Sequence, residues 1–320
     1  MSKIFSKIFD NEILATSGFT RSGKAMLMKL ISTFEYVEKS HTDILLEQIY
    51  YLHKIKKIQT NTAKYLLRKN LNIIQFYNLI GRNVNYKSSD FSSVLNYHNP
   101  KLYYDRTNSK HYKLDKISNK YLFQIMLHSG LNSADLIMKS LPSLKIIEIL
   151  KNPLELVYSW IKKDYGKMHV YSKPNIYILT IKFQNQILPY YAYGWEKQFL
   201  QMNQFERCAK MIFKLIDERQ KQLIRLTKNQ KKKLLLVNFD DLINKPEKEI
   251  IKISKFIKRK IGKKTFFVLK KEKIPRKLFD EKYNVKLEFL KKKLTTETFL
   301  KLLEYEKKHL KQFNYEKKIH

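Results

Sequence analysis

The chain has 320 residues, of which 43% are apolar, and a formal net charge of +35. This composition supports a substantial core and excludes a chain that is disordered as a whole. The single cysteine, Cys208, excludes an intrachain disulfide, and no stretch approaches the ~20 apolar residues of a membrane span.

The first predicted elements are a strand, a glycine-bounded loop and a helix. Glu12 to Ser17 is an apolar run typical of a buried strand, and the segment KAMLMKLISTF after GFTRSG has helical periodicity. This layout aims the N–H groups at the start of a helix toward an anion. Further helices are predicted from about Thr42 to Ile80.

The middle of the chain alternates between irregular and regular segments. Residues 81–119 are polar and turn-rich, which predicts a long surface excursion. A strand is predicted at Tyr121 to His128, followed by a helix through Ser140 and a buried strand at Leu144 to Leu150. Pro153 then opens the next predicted helix.

The remaining segments continue the alternation. Residues 164–193 form a second, aromatic-rich insertion whose strand-like runs suggest a hairpin. A helix is predicted from about Gln204 to Leu226, a strand from Leu234 to Phe239, and a helix from Pro246. An amphipathic helix is predicted from Lys286 to about Gln312.

Strands that alternate with helices favour a parallel sheet covered on both faces. We therefore expect a single domain over residues 1–320, with insertions at 81–119 and 164–193. Its fold class is three-layer α/β/α with a central parallel sheet. Because the N-terminus has no apolar run of signal-peptide length, we expect a soluble, cytoplasmic protein without a transmembrane segment.

The net charge is compatible with three kinds of partner: nucleic acid, an anionic membrane surface, or a small polyanionic substrate. An AT-rich coding sequence, which favours Lys, Ile, Asn and Tyr, explains the high net charge equally well. The lysines are spread along the whole chain, whereas a nucleic-acid-binding arm concentrates them. Nucleic acid is therefore not the expected partner.

The segment Gly18 to Ala25, GFTRSGKA, carries the first chemical signal. It matches G-x-x-x-x-G-K, in which glycines permit a tight turn and successive N–H groups surround a phosphate. Kinases and nucleotide hydrolases follow this motif with Ser or Thr, whose hydroxyl binds Mg²⁺. Because Ala25 stands at that position, the metal ligand is absent and no metal site is expected.

The run Thr20-Arg21-Ser22-Gly23, after a strand and before an apolar helix, resembles the 5′-phosphosulfate loop of sulfotransferases that use 3′-phosphoadenosine 5′-phosphosulfate (PAPS). The resemblance implies a P-loop nucleotide-hydrolase-like fold, PAPS as the sulfuryl donor and no metal. It also implies that Arg21 stabilises charge on the bridging oxygen. Lys24 and Ala25 depart from the usual R-S-G-T-T, in which two hydroxyl residues stand. The implied donor-loop residues are Thr20, Arg21, Ser22, Gly23, Lys24 and Ala25.

A second segment, LKIIEILKNPLELVYSW, resembles the part of the same family that binds the 3′-phosphate. There a buried strand precedes R-x-P and a helix that carries a serine. The resemblance assigns the basic position to Lys151 and the hydroxyl to Ser159, eight residues later. Lysine in place of arginine keeps the charge and loses the bidentate fork.

A third segment, LLLVNFDDLINKPEKEIIKISKFI, resembles the late strand and helix of the family. Its Asp240 and Asp241 also suit the magnesium site of a nucleotide hydrolase, although a role in shaping the turn is preferred. Downstream, the resemblance implies that Arg276 and Lys277 form the basic pair that holds the 3′-phosphate.

The acceptor hydroxyl needs a base, and a histidine suits this role near neutral pH. In the cytosolic branch of the family a catalytic histidine ends a strand about twenty residues before the 3′-phosphate segment. His128 holds that place. Other branches use a Glu or His shortly after the first helix, which makes Glu38, His41 and Glu47 the alternatives.

These motifs predict a sulfotransferase that acts on a hydroxyl acceptor. The aromatic residues of the two insertions suit stacking on sugar rings, so a carbohydrate or glycolipid acceptor is expected. Three alternatives stay open: a P-loop kinase or hydrolase that uses ATP and Mg²⁺, a non-catalytic nucleic-acid-binding protein, and a degenerate sulfotransferase that serves as a scaffold.

Overall fold

The computed structural model describes residues 12–90, 92–97, 99–109, 121–167, 178–276 and 282–313. Seven strands form a five-stranded sheet and a separate two-stranded hairpin. The strands are β1 (Ile13–Gly18), β2 (Val37–Thr42), β3 (Leu122–His128), β4 (Leu144–Leu150), β5 (Thr180–Phe183), β6 (Gln186–Pro189) and β7 (Leu234–Asn238).

Fourteen α-helices are formed by the described residues, and short 3₁₀ turns lie between some of them. The helices are α1 (Lys24–Ile31), α2 (Ile44–Lys54), α3 (Thr60–Leu79), α4 (Pro100–Asn108), α5 (Ala134–Ser140), α6 (Pro153–Ile161), α7 (Glu196–Gln201), α8 (Gln204–Arg225), α9 (Lys228–Lys231), α10 (Phe239–Asn244), α11 (Pro246–Ile257), α12 (Thr265–Lys271), α13 (Lys282–Lys293) and α14 (Thr296–Gln312).

The central sheet has the order β2-β3-β1-β4-β7, and every neighbouring pair is parallel. The prediction of an α/β fold with a central parallel sheet is confirmed. The central strands are apolar on both faces because helices cover both. Along β1, for example, Leu14 packs with α1 and α11, whereas Ile13 and Ala15 pack with α2, α3 and α5.

A third apolar cluster contains no residue of the five central strands. There α6 and α8 pack against the C-terminal helices α13 and α14 and against the β5–β6 hairpin. Trp160 and Phe199 are fully buried in this cluster. The hairpin predicted within residues 164–193 is confirmed by the antiparallel pairing of β5 and β6. None of the described helices has the length and apolar character that crossing a bilayer requires.

Two elements differ from the sequence-based expectation. The polar segment VEKSHT forms the edge strand β2, which the residue pattern did not predict. Residues 81–119, expected to be a surface excursion, contain the helix α4, whose Asn99 cap accepts a hydrogen bond from the Leu102 N–H at 3.4 Å. Both elements depend on contacts distant in sequence, because the side chains of α4 cover the charged residues of β2.

Candidate functional site

The residues predicted to bind the donor or to act as the base lie at the carboxyl ends of the central strands. In open parallel sheets, ligands bind there, where consecutive connections leave in opposite directions. Here β1 lies between β3 and β4, so the loops that follow these three strands share one edge of the sheet. The site contains the predicted donor loop after β1, His128 at the end of β3, and Lys151 directly after β4.

Two glycines allow the chain to fold tightly between β1 and α1. A Cβ atom on Gly18 would stand 2.4 Å from the Ser22 Oγ, so the loop closes on itself only with glycine there. Gly23 has a φ of +96° in the left-handed region, and a Cβ atom on it would stand 2.5 Å from the Phe239 ring. The Ser22 N–H donates to the Phe19 carbonyl at 3.1 Å and completes the turn.

The loop presents polar groups that suit an anion. Ser22 is buried, and its Oγ has no hydrogen-bond partner. The N–H groups of the first turn of α1 have no acceptor within their helix. Lys24 begins this helix, and its Nζ donates to the Phe19 carbonyl at 3.2 Å. Burial lowers the pKa of Lys24 to about 8, against the opposing influence of Glu47 and Glu148.

The remaining loop residues are less buried than Ser22 and Lys24. Arg21 is exposed and has a φ of 71°, a left-handed conformation that projects its side chain from the turn. The Thr20 carbonyl accepts a hydrogen bond from the Trp160 Nε1 at 2.9 Å, which ties the loop to α6. Ala25 is half-buried in the first turn of α1. The six predicted donor-loop residues are thus contiguous around one turn.

Lys151 lies at the second predicted subsite, directly after β4, the strand next to β1. Its Nζ is 4.8 Å from the centre of the Phe239 ring, the same ring that lies under Gly23. Burial lowers the pKa of Lys151, while Glu155 and Asp240 oppose the shift. Burial also raises the pKa of Asp240 to about 7, with Lys151 opposing it.

The helix after Lys151 begins with a cap that the sequence reading missed. The Asn152 Oδ1 accepts from the Leu154 N–H at 2.8 Å, and its Nδ2 donates to Glu306 at 2.6 Å. Ser159 is half-buried on the same helix, α6. An Asn directly before a helical Pro is the local signal for this cap.

Arg276 lies near the start of α11. Its backbone N–H donates to the Ile243 carbonyl of α10 at 3.2 Å, and its Nη1 donates to the Glu272 carbonyl at 3.2 Å. The backbone of Arg276 is thus bonded to α10, the helix that begins with Phe239, and its guanidinium to the residue that follows α12. Lys277 lies outside the described residues.

His128 lies directly beside the donor loop. It is the register partner of Gly18, so the end of β3 adjoins the start of the loop. Its backbone N–H donates to the Glu47 Oε1 at 2.6 Å, and its Nδ1 lies 2.8 Å from the same oxygen. The Glu47 side chain is 7% exposed and that of His128 is 31% exposed. The dyad leaves the His128 Nε2 for another partner.

Tyrosines form a wall next to His128. Tyr50 and Tyr51 of α2 both donate to the His128 carbonyl at 2.6 Å. The Tyr51 ring stacks on that of Tyr190 at 4.0 Å, and Tyr191 follows at 4.2 Å from Tyr190. The aromatic insertion 164–193 therefore contributes to the surroundings of His128, and a small cavity of about 200 Å³ opens beside Tyr190.

The alternative bases, His41 and Glu38, lie on the outer strand β2. Glu38 is buried, accepts two hydrogen bonds from Arg106 at 2.7 and 3.1 Å, and also accepts from the Tyr103 hydroxyl. His41 stacks on Phe123, with ring centres 4.9 Å apart. Burial lowers the pKa of His41 well below 6.5, so the imidazole is neutral. In the β2–β3 register His41 pairs with Ile125, three residues before His128.

A cavity of about 420 Å³ opens between β2, α3 and the segment that follows α3. Its lining is rich in amides and has two cations, Lys39 and Arg82. The His41 Nε2 and the Asn78 Oδ1 lack a hydrogen bond of good geometry, although the two side chains are neighbours. The amide-bearing residues are Asn70, Asn78, Asn83 and Asn85.

The family profile described as "Sulfotransferase domain" matches residues 13–276. No curated protein matches at a significant level. Solved structures similar to the chain include a sulfotransferase domain from the curacin biosynthetic pathway (11% identity, 81% of this chain and 77% of that chain covered, TM-score 0.43). Another is the sulfotransferase STF9 from Mycobacterium avium (10% identity, 96% of this chain and 78% of that chain covered, TM-score 0.45). A third is retinol dehydratase in complex with androsterone and the inactive cofactor PAP (12% identity, 94% of this chain and 81% of that chain covered, TM-score 0.39).

The profile match begins with β1 and ends at Arg276. It therefore contains the donor loop, His128, Lys151 and the end of the loop that carries Arg276, together with all five strands of the central sheet. With a match over most of its length that includes each element of the site, the chain belongs to the sulfotransferase family.

Proposed function

We propose that this sulfotransferase transfers the sulfuryl group of PAPS to a hydroxyl of a saccharide-containing acceptor. The observation that carries the proposal is the pairing of Gly18 with His128, which brings an anion-binding turn and a histidine–glutamate dyad together on adjacent strands. Sulfuryl transfer to a hydroxyl requires both parts: a site for the donor's phosphate and a base for the acceptor.

The donor loop supports PAPS as the ligand. The buried, unpartnered Ser22 hydroxyl and the N–H groups at the start of α1 are donors whose hydrogen bonds a phosphosulfate can accept. Lys24 and Arg21 supply positive charge, and Lys151 with Ser159 supplies a second polar site for the 3′-phosphate. PAPS, when bound, provides an activated sulfuryl group whose leaving group is a phosphate.

Each side chain then has a defined task. Arg21 and Lys24 hold and stabilise negative charge that develops on the bridging oxygen, the kind of preorganised interaction that usually contributes most to catalysis. The His128 Nε2 accepts the proton of the attacking hydroxyl. Glu47 holds the imidazole through Nδ1 and stabilises the imidazolium that forms.

The amide-lined cavity supports a saccharide acceptor. Asn70, Asn78 and Arg82 offer the directional hydrogen bonds that sugar hydroxyls require, and Tyr77 offers an aromatic face. Asp43 lines the cavity and caps α2, while Glu47 lies one turn along the same helix and contacts His128. The first turn of α2 therefore connects the cavity with the carboxylate that holds His128.

The donor proposal is tested by thermal unfolding with 3′-phosphoadenosine 5′-phosphate (PAP) or with ATP and Mg²⁺. A ligand at 100 times its dissociation constant adds ~2.7 kcal/mol to stability. We expect stabilisation by PAP without metal. Stabilisation only by ATP with Mg²⁺ would overturn the proposal and make the loop that of a kinase.

The acceptor proposal is tested separately by transfer of labelled sulfate from PAPS to saccharides or to simple phenols. We expect faster transfer to saccharides and a higher KM for them in Asn78→Ala than in the wild type. Asn72→Ala, at a position on the same helix that does not line the cavity, is the control. Equal transfer to phenols and saccharides would contradict a saccharide acceptor while leaving the donor assignment intact.

A further inference from the structure

The segment that connects α11 to the end of α12 has an unusual surface. Among residues 258–273, eight are Lys or Arg and one is acidic, Glu272. Within this basic run stand two adjacent phenylalanines, Phe266 and Phe267, which are 59% and 66% exposed. Two adjacent exposed phenylalanines place apolar surface in water, and contiguous exposed apolar surface is typical of sites that contact another protein, a membrane or a ligand.

Helical geometry separates the two faces of α12. Thr265 and Leu269 are buried against the sheet side, where the Thr265 hydroxyl lies 2.6 Å from that of Thr33. Positions four apart share a face, so Lys270 and Lys271 lie one turn beyond Phe266 and Phe267 on the outer side. We call this outer surface the basic aromatic patch. Its exposed members on α12 and directly before it are Lys263, Lys264, Phe266, Phe267, Lys270 and Lys271.

The patch is held rigidly by the core. The Glu35 N–H donates to the Lys260 carbonyl at 2.9 Å, and a Cβ atom on Gly262 would stand 1.9 Å from the Thr33 carbonyl oxygen. At the other end Glu272 forms a 2.7 Å ion pair with Lys29 of α1. The one acidic group of the segment is therefore partly neutralised. The phenylalanines protrude from a fixed platform rather than from a loose loop.

We propose that the basic aromatic patch docks the protein on an anionic lipid surface, with Phe266 and Phe267 inserted at the headgroup boundary. Charge complementarity selects this occupant: lysines attract anionic headgroups, and aromatic side chains enter the interface that the lysines reach. No ion pair among the described residues engages Lys263, Lys264, Lys270 or Lys271, so their ammonium groups can meet such a surface. This proposal does not depend on which donor or which acceptor the enzyme uses.

Co-sedimentation with vesicles tests the proposal. The full chain is mixed with vesicles of phosphatidylcholine alone or of phosphatidylcholine with an equal amount of phosphatidylglycerol. Because the whole protein is basic, generic adsorption is separated from docking by matched variants. Phe266→Ser/Phe267→Ser is compared with Ile224→Ser/Leu300→Ser, which changes side chains that are 72% and 56% exposed elsewhere.

The charge is tested in the same way. Lys263→Gln/Lys264→Gln is compared with Lys231→Gln/Lys232→Gln, which removes the same charge from exposed lysines of another helix. We expect the two patch variants to lose about ten-fold or more in affinity for the anionic vesicles. The two control variants should stay within about three-fold of the wild type.

Two results would overturn the proposal. One is equal loss in patch and control variants, which would mean adsorption through net charge alone. The other is a dimer in light scattering that Phe266→Ser/Phe267→Ser abolishes while vesicle binding is unchanged, which would make the patch a contact between copies of the chain. Both are independent of stabilisation by PAP, so failure here is distinguishable from failure of the donor site.

Discussion

The Glu47 Oε1 accepts a hydrogen bond from the His128 backbone N–H at 2.6 Å and lies 2.8 Å from the Nδ1 of the same residue. One carboxylate oxygen therefore holds both the backbone and the imidazole. With Nδ1 engaged, the neutral imidazole presents Nε2 as its acceptor, which is the form that a general base needs.

This dyad predicts two graded losses of activity. His128→Ala should lower kcat by about 10²–10⁴, the usual contribution of a positioned base. Glu47→Gln should lower kcat by roughly a hundred-fold, because it leaves the base present but less well oriented. The measurement is steady-state transfer with PAP affinity determined in parallel. Unchanged kcat in Glu47→Gln would remove Glu47 from the proposed mechanism.

Lys24 predicts a pH dependence of donor-loop binding. Its pKa in the folded protein is about 8, so the ammonium is charged below this pH and neutral above it. Affinity for adenosine 5′-phosphate, which lacks the 3′-phosphate and so does not involve Lys151, should fall as the pH rises through about 8. Calorimetric titrations one pH unit below and one above this value measure the change.

The control for that experiment is Lys24→Arg, whose guanidinium stays charged across the range. Its affinity should be nearly independent of pH. A wild-type affinity that stays constant across the same interval would contradict a role for the Lys24 charge in holding the phosphate.

Substitution of Arg21 should affect mainly kcat, and substitution of Lys151 should affect mainly PAP affinity. Arg21→Ala removes an exposed cation from the donor loop and should lower kcat by about 10²–10³. Lys151→Ala, directly after the neighbouring strand β4, should chiefly weaken PAP binding, with a smaller effect on kcat. Kinetics combined with PAP titration separate the two, and the reverse pattern would exchange the assigned roles.

Gly23 and Gly194 offer a matched comparison of backbone and packing costs. Both have positive φ angles, 96° and 82°, but a Cβ atom meets the Phe239 ring only at Gly23. Gly194→Ala should cost about 1 kcal/mol of unfolding free energy from the backbone alone, and Gly23→Ala about 2–5 kcal/mol. Chemical denaturation measures both, and equal costs would mean that Phe239 yields without penalty.

Glu38 is expected to act on stability. It is buried against Arg106, and removal of one partner of such a pair costs about 3–5 kcal/mol. Glu38→Gln should therefore unfold more easily, and Glu38→Gln/Arg106→Met should recover part of the loss. The folded Glu38→Gln protein should keep most of its kcat, whereas a loss as large as that of His128→Ala would make Glu38 a catalytic residue.

Local patterns were sufficient to predict most of the sheet. The apolar runs of β1, β3 and β4 and the glycine-bounded loop are readable because each carries its signal within a few residues. By contrast, β2 is charged and polar, and its burial depends on Tyr103 and Arg106 of α4. The pattern of the six residues of β2 cannot predict contacts with residues more than sixty positions away in the sequence.

The candidate site also combines features that have a local sequence signal with features that depend on distant contacts. The glycine-bounded loop was predicted from its place between a strand and a helix, and His128 was proposed as the base from the resemblance to the family. The sequence reading considered Glu47 only as an alternative base, because its contact with His128 spans 81 residues. Asn152 was overlooked although its position before a helical proline is a local signal.

The pairing of Gly18 with His128 has a consequence for how this protein can diversify. The spacing between the predicted donor loop and His128 is set by the pairing of two parallel strands, not by the closing of a loop. Segments that line the nearby cavities, such as α3 and the residues after the β5–β6 hairpin, lie outside that pairing. They can exchange side chains, and in the proposed function acceptors, while the spacing between Gly18 and His128 stays the same.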